Sequence, residues 1–211
     1  MKKLVFDIGA NRGNMAEFFL TRSEKTVCFE PNPSLISYLN NRFTNYLDKI
    51  IIDSRGLSDK IETKVFKISN ADTISTFSED WINRSRFTGE YNWDNSIEVQ
   101  TTTLDQIIDE YGIPDFVKID VEGYELQVIK GLTKLLESTV FSFEWAEEQY
   151  QNMNDIAKIL NDLGYTKFSF TYSDECTFGE NLEWTSWEEL SFHNQINPER
   201  KYLWGMIYFK K

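Results

Sequence analysis

Short apolar runs alternate along the chain with segments that place apolar residues at helical spacing. This alternation predicts a mostly parallel sheet joined by crossover helices, which is an α/β doubly wound fold with helices on both faces. A late antiparallel pair completes a seven-stranded sheet, with the final strand antiparallel. The predicted strands of this sheet cover residues 4–6, 26–29, 49–52, 116–119, 140–145, 167–172 and 202–210.

Helix signals separate these runs. Residues 14–22 and the segment through Leu35 and Leu39 have helical spacing, and residues 103–106 resemble a capping box that opens a helix ending near Gly112. Further helices are predicted over residues 124–137, with a kink at Gly131, and over residues 155–163, which Gly164 ends.

Two more segments, residues 61–69 and 97–103, alternate polar and apolar positions as half-exposed strands do. Between them, residues 70–95 form a polar segment, and a connection of this length is typically functional or mobile. We expect one domain over residues 1–211, with insertions near 70–95 and 173–200. The aromatic residues of the first insertion either pack into the core or stack on sugar faces; they are Phe77, Trp81, Phe87, Tyr91 and Trp93.

The chain is acidic, since 34 acidic and 22 basic residues give a formal net charge of -12. A negative field repels phosphate backbones, so no nucleic-acid partner is expected. Asp7 ends the first apolar run too early for a signal peptide, and no segment approaches the roughly 18 apolar residues of a membrane span. Cys28 and Cys176 are too few for a disulfide framework, so a cytoplasmic location is expected. The oligomeric state stays open.

A glycine turn joins the first predicted strand to the first helix. Its glycines, Gly9 and Gly13, permit positive φ and a close approach of a ligand to the backbone. A dinucleotide-binding turn would have glycine at position 11, where this chain has Asn11. The preceding acid, Asp7, would repel a pyrophosphate and would suit a cationic ligand such as the amino group of a methionine moiety.

Glu30 ends the second predicted strand, which lies beside this turn in a doubly wound sheet. A carboxylate in that position can accept hydrogen bonds from both ribose hydroxyls of an adenosine. The turn and Glu30 together indicate a nucleoside with a cationic, phosphate-free tail. S-adenosyl-L-methionine fits that description, and a dinucleotide does not.

A second motif, KIDVEGYE at residues 118–125, covers the carboxyl end of a central strand and the turn after it. Open α/β sheets bind ligands at the carboxyl ends of their strands, where Asp120 lies. Helix capping by acids accounts for Glu125. It does not account for two further acids, Asp120 and Glu122, at one strand end.

With these motifs the chain resembles the FkbM-type methyltransferase family. The resemblance covers residues 4–145 and implies the class I methyltransferase fold and methyl transfer from S-adenosylmethionine to a hydroxyl oxygen. Acceptors in the family include polyketide and sugar hydroxyls, so a small-molecule or carbohydrate acceptor is implied without being identified. The matching segments are VFDIGANRG at 5–13, FEPNP at 29–33, GLSD at 56–59, TLD at 103–105 and VKIDVEGYE at 117–125.

The resemblance also implies roles for individual residues. By the resemblance, the methionine part of the cofactor would be surrounded by Asp7, Gly9, Asn11 and Gly13. The ribose would be held by Glu30 and bordered by Pro31 and Asn32. Ser58 and Asp59 would contact the adenine, and Asp120 and Glu122 would face the reaction centre. Residues 77–93 and 173–200 are the expected determinants of acceptor specificity.

Removal of the hydroxyl proton requires a general base within reach of the acceptor oxygen. The candidates are Asp120, Glu122 and Glu144, because clustered carboxylates raise one another's pKa values. The same oxygens could hold Mg²⁺ or Ca²⁺ instead, although no metal site is predicted. His193, the one histidine, is a further candidate base, and a surface or core position is the commoner role for such a residue.

Two hypotheses from other classes remain open. One is a non-catalytic S-adenosylmethionine-binding partner subunit, which would bind the cofactor without turnover. The other is an NAD-dependent oxidoreductase, which Asn11 disfavours.

Overall fold

The computed structural model describes residues 1–172, 177–190 and 204–211. Its strands are β1 (Lys2–Ile8), β2 (Ser23–Phe29), β3 (Ile50–Asp53), β4 (Gly56–Leu57), β5 (Thr63–Ile68), β6 (Asn95–Thr102), β7 (Phe116–Ile119), β8 (Val140–Ala146), β9 (Lys167–Tyr172) and β10 (Trp204–Lys210).

Seven of these strands form the central sheet, in the order β3-β2-β1-β7-β8-β10-β9. The pairs from β3 to β8 are parallel, and β10 is antiparallel to both β8 and β9. The predicted seven-stranded, doubly wound sheet with an antiparallel final strand is therefore confirmed. Because β1 and β7 adjoin in the centre, Asp7 pairs in register with Lys118.

The helices are α1 (Asn14–Leu20), α2 (Pro33–Arg42), α3 (Glu79–Arg84), α4 (Leu104–Tyr111), α5 (Glu125–Lys130) and α6 (Tyr150–Leu163). The predicted cap at Thr103 is confirmed, since its side chain accepts a hydrogen bond from the backbone N–H of Gln106. Gly164 ends α6 in the left-handed conformation, as predicted, with φ of 100°.

The prediction of a helix over 124–137 with a kink at Gly131 is wrong, because α5 ends at Lys130. The Gly131 carbonyl instead accepts a hydrogen bond from the Asp105 backbone N–H at the start of α4. A Cβ at Gly131 would lie 2.5 Å from the Ser58 carbonyl oxygen, so the chain passes close to its neighbour here. This tertiary contact takes the chain out of the helix.

Both faces of the central sheet are buried, as expected when helices cover a parallel sheet on either side. Phe6 and Ile8 of β1 pack in the main core with α4, α5 and α6, while Val5 packs on the opposite face with Phe19 of α1 and Phe178. Among the residues described here, no helix combines the length and the apolar character that crossing a membrane requires.

A small second sheet, β4-β6-β5, carries the first insertion. Residues 70–95 contain the short helix α3 and fold back over the ends of the central strands. Asn11 donates from Nδ2 to the Asp72 carbonyl at 3.0 Å, and Thr76 donates from Oγ1 to the Glu122 carbonyl at 2.7 Å. The insertion therefore contacts both the glycine turn and the loop after β7.

Candidate functional site

The glycine turn after β1 touches the end of β7 directly. Gly9 has φ of 79°, and a Cβ there would lie 1.8 Å from the Asp120 carbonyl oxygen. Only glycine combines this conformation with so close an approach. The turn also places Asn11 in a left-handed conformation, with φ of 49°. Gly9 therefore fixes how closely the two strand ends meet.

Glu30 anchors the turn to the end of β2. Its two carboxylate oxygens accept hydrogen bonds from the backbone N–H groups of Asn11 and Asn32, each at 2.9 Å. Burial raises the pKa of Glu30 from 4.5 to about 7, although both N–H groups stabilise the charged form. A carboxylate offers about four acceptor positions, so Glu30 keeps lone pairs for a ligand after binding the turn.

A cavity of about 220 Å³, which we call the main cavity, opens at these strand ends. Its lining includes six residues that the sequence predicts for the site: Gly9, Asn11, Glu30, Pro31, Asp120 and Glu122. Five other predicted cofactor residues and the predicted base Glu144 are not part of this lining in the described structure; the five are Asp7, Gly13, Asn32, Ser58 and Asp59.

Two of these five residues, Gly13 and Asn32, contact helix α2 beside the cavity. A Cβ at Gly13 would lie 2.6 Å from the Phe43 ring and 2.7 Å from Leu39, so α2 packs tightly on the turn. Asn32 caps α2 by accepting a hydrogen bond from the Ser34 backbone N–H at 3.0 Å.

Ser58 and Asp59 lie outside the lining of the main cavity. The Ser58 hydroxyl is buried, donates to Asp59 Oδ1 at 3.0 Å and lies 3.2 Å from the Tyr124 hydroxyl. Asp59 lines a separate cavity with Lys60 and Lys64.

An apolar end of the main cavity is formed by Phe77, which belongs to the insertion predicted to set acceptor specificity, and by Phe66, for which no site role is predicted. Phe66 of β5 and Phe77 of the insertion pack with ring centroids 4.8 Å apart. A Cβ at Gly56 would lie 2.6 Å from the Phe77 ring, so this wall also depends on glycine. The alternation over residues 61–69 could have indicated an inward Phe66, whereas no sequence signal places Phe77 beside it. Leu57 and the charged Arg55 also line the cavity.

A buried lysine, Lys118, lies between two carboxylates. Its Nζ is 3.4 Å from Asp7 Oδ1 and 3.2 Å from Asp120 Oδ2, and it donates to the Gly9 carbonyl at 3.0 Å. The two carboxylates raise the pKa of Lys118 against the effect of burial, so its ammonium stays charged. Burial raises the pKa of Asp7 despite this ion pair. Lys118 is not among the residues that the sequence predicts for the site.

Asp120, Glu122 and Glu144 form an acidic cluster, in which one carboxylate oxygen from each lies within 4.8 Å of the others. The structure thus brings together the three predicted base candidates. Burial, followed by repulsion from Asp120 and Glu125, raises the pKa of Glu122 well above 4.5. Burial, followed by repulsion from Asp120 and Glu122, does the same to the pKa of Glu144.

The charges around this cluster are unequally distributed. Asp120 has Lys118 as its counter-ion, whereas within the described ranges no hydrogen bond or ion pair engages the carboxylate of Glu122 or of Glu144. Arg86 lowers the pKa of both but is itself paired with Glu148, with Nε to Oε1 at 2.9 Å.

Comparison with known proteins agrees with this geometry. The model of the methyltransferase FkbM domain matches residues 7–167. The chain belongs to the FkbM methyltransferase family. The match spans the glycine turn, Glu30, the insertion and the acidic cluster, so the site described above lies within the FkbM domain.

Two relatives place this FkbM domain in context. The hexuronic acid methyltransferase AglP of Haloferax volcanii is 30% identical over 140 residues, which are 65% of this chain and 53% of that protein. The crystal structure of a methyltransferase FkbM from Methylobacillus flagellatus KT superposes with a TM-score of 0.54 at 16% identity, over 99% of this chain and 43% of that one. The chain therefore spans about half the length of these relatives, and the structural match shows the fold.

Of the two regions predicted to set acceptor specificity, the structure describes residues 77–93 fully and residues 173–200 in part. In the first insertion of this FkbM domain, Phe77 and Trp81 are buried, which supports packing, while Phe87, Tyr91 and Trp93 are half-buried. In the second region, residues 173–176 and 191–200 lie outside the described residues. The predicted alternative base His193, Cys176 and the predicted start of the last strand at Tyr202 also lie outside the described residues.

Proposed function

We propose that this FkbM domain is an S-adenosylmethionine-dependent O-methyltransferase that acts on a hydroxyl of a sugar, a glycan or another small acceptor. The observation that carries the proposal is a single cavity that joins a buried, backbone-anchored carboxylate, Glu30, to the acidic cluster. The named activity of the Haloferax volcanii relative supports a carbohydrate acceptor.

The residues around the main cavity suit the proposed ligand. Glu30 has lone pairs left for the two ribose hydroxyls, and the apolar wall of Phe66 and Phe77 suits the flat adenine ring. Gly9 and Asp120 both line the cavity, and the Asp120 carboxylate can accept a hydrogen bond from an ammonium group of a ligand bound there. Pro31 and Asn11 border the ribose position.

When bound, S-adenosylmethionine supplies an electrophilic methyl group on a sulfonium sulfur. The protein's tasks are to align the acceptor oxygen with that methyl group and to remove the hydroxyl proton. We assign proton removal to Glu122, since it lines the cavity and has no counter-ion among the described residues. Burial, followed by repulsion from Asp120 and Glu125, holds the pKa of Glu122 high, which strengthens its carboxylate as a proton acceptor.

The proposal is tested in two stages. Calorimetry with S-adenosylmethionine, S-adenosylhomocysteine and NAD should give binding heat for the first two ligands and none for NAD. Uptake of NAD without either adenosyl ligand would overturn the proposal in favour of an oxidoreductase.

The second stage measures transfer of a labelled methyl group to neutral hexose glycosides, hexuronic acid glycosides and amino-sugar glycosides. An O-methyl ether survives mild alkali, whereas a methyl ester of a hexuronic acid is hydrolysed. Alkali-stable product supports hydroxyl methylation. Alkali-labile product would overturn hydroxyl methylation in favour of methylation of a carboxylate. Cofactor binding with no product on any acceptor would favour a non-catalytic partner subunit.

A further inference from the structure

Lys118 connects the two strand ends that meet at the main cavity. Its side chain is only 6% exposed, and its ammonium contacts Asp7 on β1, Asp120 after β7 and the Gly9 carbonyl in the turn. A buried ammonium requires this degree of compensation, because an unpaired charge in the interior is strongly destabilising.

The contacts of Lys118 run from a buried carboxylate on one side to the main cavity on the other. Asp7 is fully buried and does not line the main cavity, whereas Lys118, Gly9 and Asp120 do. The Asp7 carboxylate has no close hydrogen bond in the described structure, and its ion pair with Lys118 is the contact that compensates its charge. The contact that links Asp7 to the cavity is therefore its ion pair with Lys118.

We propose that Lys118 is a positioning residue, held in place by Asp7, that fixes the Asp120 carboxylate and the Gly9 carbonyl in the orientation that binds the cofactor. This inference rests on the proposed function, since it concerns the same cavity. It gives Asp7 a supporting role behind Lys118 in place of direct contact with the ligand.

Removal of Lys118 alone would leave Asp7 buried without a counter-ion and could unfold the protein. The experiment therefore uses Asp7→Asn as the reference protein and adds Lys118→Met, Asp120→Asn or both. Thermal unfolding shows whether each variant is folded, and Lys118→Met alone should have a lower Tm than Asp7→Asn/Lys118→Met. Lys64→Met is a matched control, because Lys64 is partly exposed, pairs with Glu62 and lines the separate cavity.

The readout is the affinity for S-adenosylhomocysteine, measured by calorimetry. In the Asp7→Asn background, Lys118→Met should weaken binding by about 10-fold, the size expected for loss of a charged contact. Asp120→Asn should cost about 10-fold when Lys118 is present and less than about 2-fold when it is absent, because residues that act through one another are not additive. Lys64→Met should leave the affinity unchanged.

Two results would overturn the inference. They are additive losses from Lys118→Met and Asp120→Asn, and a wild-type affinity in folded Asp7→Asn/Lys118→Met. If the wild-type protein does not bind S-adenosylhomocysteine, the proposed function fails as well, so the two failures are distinguishable.

Discussion

Glu30 and Glu122 both line the main cavity, and the protein holds their carboxylates in different ways. Both oxygens of Glu30 accept hydrogen bonds from backbone N–H groups, so its position is fixed by the glycine turn on one side and by the chain after β2 on the other. Glu122 instead lies beside two other acids, and no described residue donates to its carboxylate or pairs with it. A fixed acceptor suits binding, and an uncompensated one suits proton transfer.

The difference is also visible in the causes of the raised pKa values. For Glu30 burial raises the pKa and hydrogen bonds limit the rise to about 7. For Glu122 burial and repulsion from neighbouring carboxylates act in the same direction. The comparison thus predicts that one residue controls affinity for the cofactor and the other controls the rate.

Glu122→Gln should have the largest effect on the rate. Loss of a general base typically costs about 10²–10⁴-fold, while the affinity for S-adenosylhomocysteine should stay near the wild-type value. In the wild type, turnover should increase with pH because the raised pKa of Glu122 keeps it protonated at low pH. Methyl transfer measured across pH, with Glu98→Gln at an exposed position of β6 as control, checks both points. A rate that Glu122→Gln leaves unchanged would contradict the assignment.

Glu30→Gln should have the converse effect. The affinity for S-adenosylhomocysteine should fall by about 10- to 100-fold, since a charged acceptor of hydrogen bonds is lost from a buried site. The wild-type affinity should increase as pH rises through about 7, because the ionised carboxylate is the better acceptor for ribose hydroxyls.

Calorimetry from about pH 5.5 to 8.5 tests this prediction, because that interval brackets the Glu30 pKa of about 7. Glu98→Gln, which changes an exposed carboxylate of β6, is the matched control. A Glu30→Gln variant that retains both the affinity and the pH dependence of the wild type would separate Glu30 from the ligand.

The sequence is informative where local chemistry decides the structure. Alternating apolar runs predict all seven strands of the central sheet, and Gly9 and Glu30 are recognisable because the turn and the strand end each require a particular residue type. The sequence is uninformative where distant segments meet. Phe77 and the partners of Lys118 are brought together by the insertion and by the β1–β7 register, which no local pattern specifies.

Glu125 provides a smaller, purely structural test of the same comparison. Like Glu30, it is buried and accepts backbone hydrogen bonds, from Val121 and Gly123, and its pKa is raised from 4.5 to about 7. Between these two pH values the folded state keeps a proton that the unfolded state releases, so the free energy of unfolding should fall as pH rises from 4.5 to about 7.

Glu125→Gln removes this contribution but keeps an acceptor oxygen for the two N–H groups. Its Tm should therefore decrease less steeply across that pH interval than the Tm of the wild type, which thermal unfolding at a series of pH values measures. Glu98→Gln should follow the wild-type slope. Parallel wild-type and Glu125→Gln curves would show that Glu125 does not bind this proton.

Removal of divalent metal should have the smallest effect. The acidic cluster offers three oxygens within 4.8 Å, but the Lys118 ammonium lies 3.2 Å from Asp120 Oδ2 and repels a second cation there. Dialysis against a chelator should therefore leave methyl transfer and S-adenosylhomocysteine affinity unchanged. If turnover is instead lost and Mg²⁺ restores it, Glu122 and Glu144 are metal ligands. Glu30 would then differ from Glu122 as an acceptor of ribose hydrogen bonds differs from a ligand of a cation. The general base would be a residue other than Glu122.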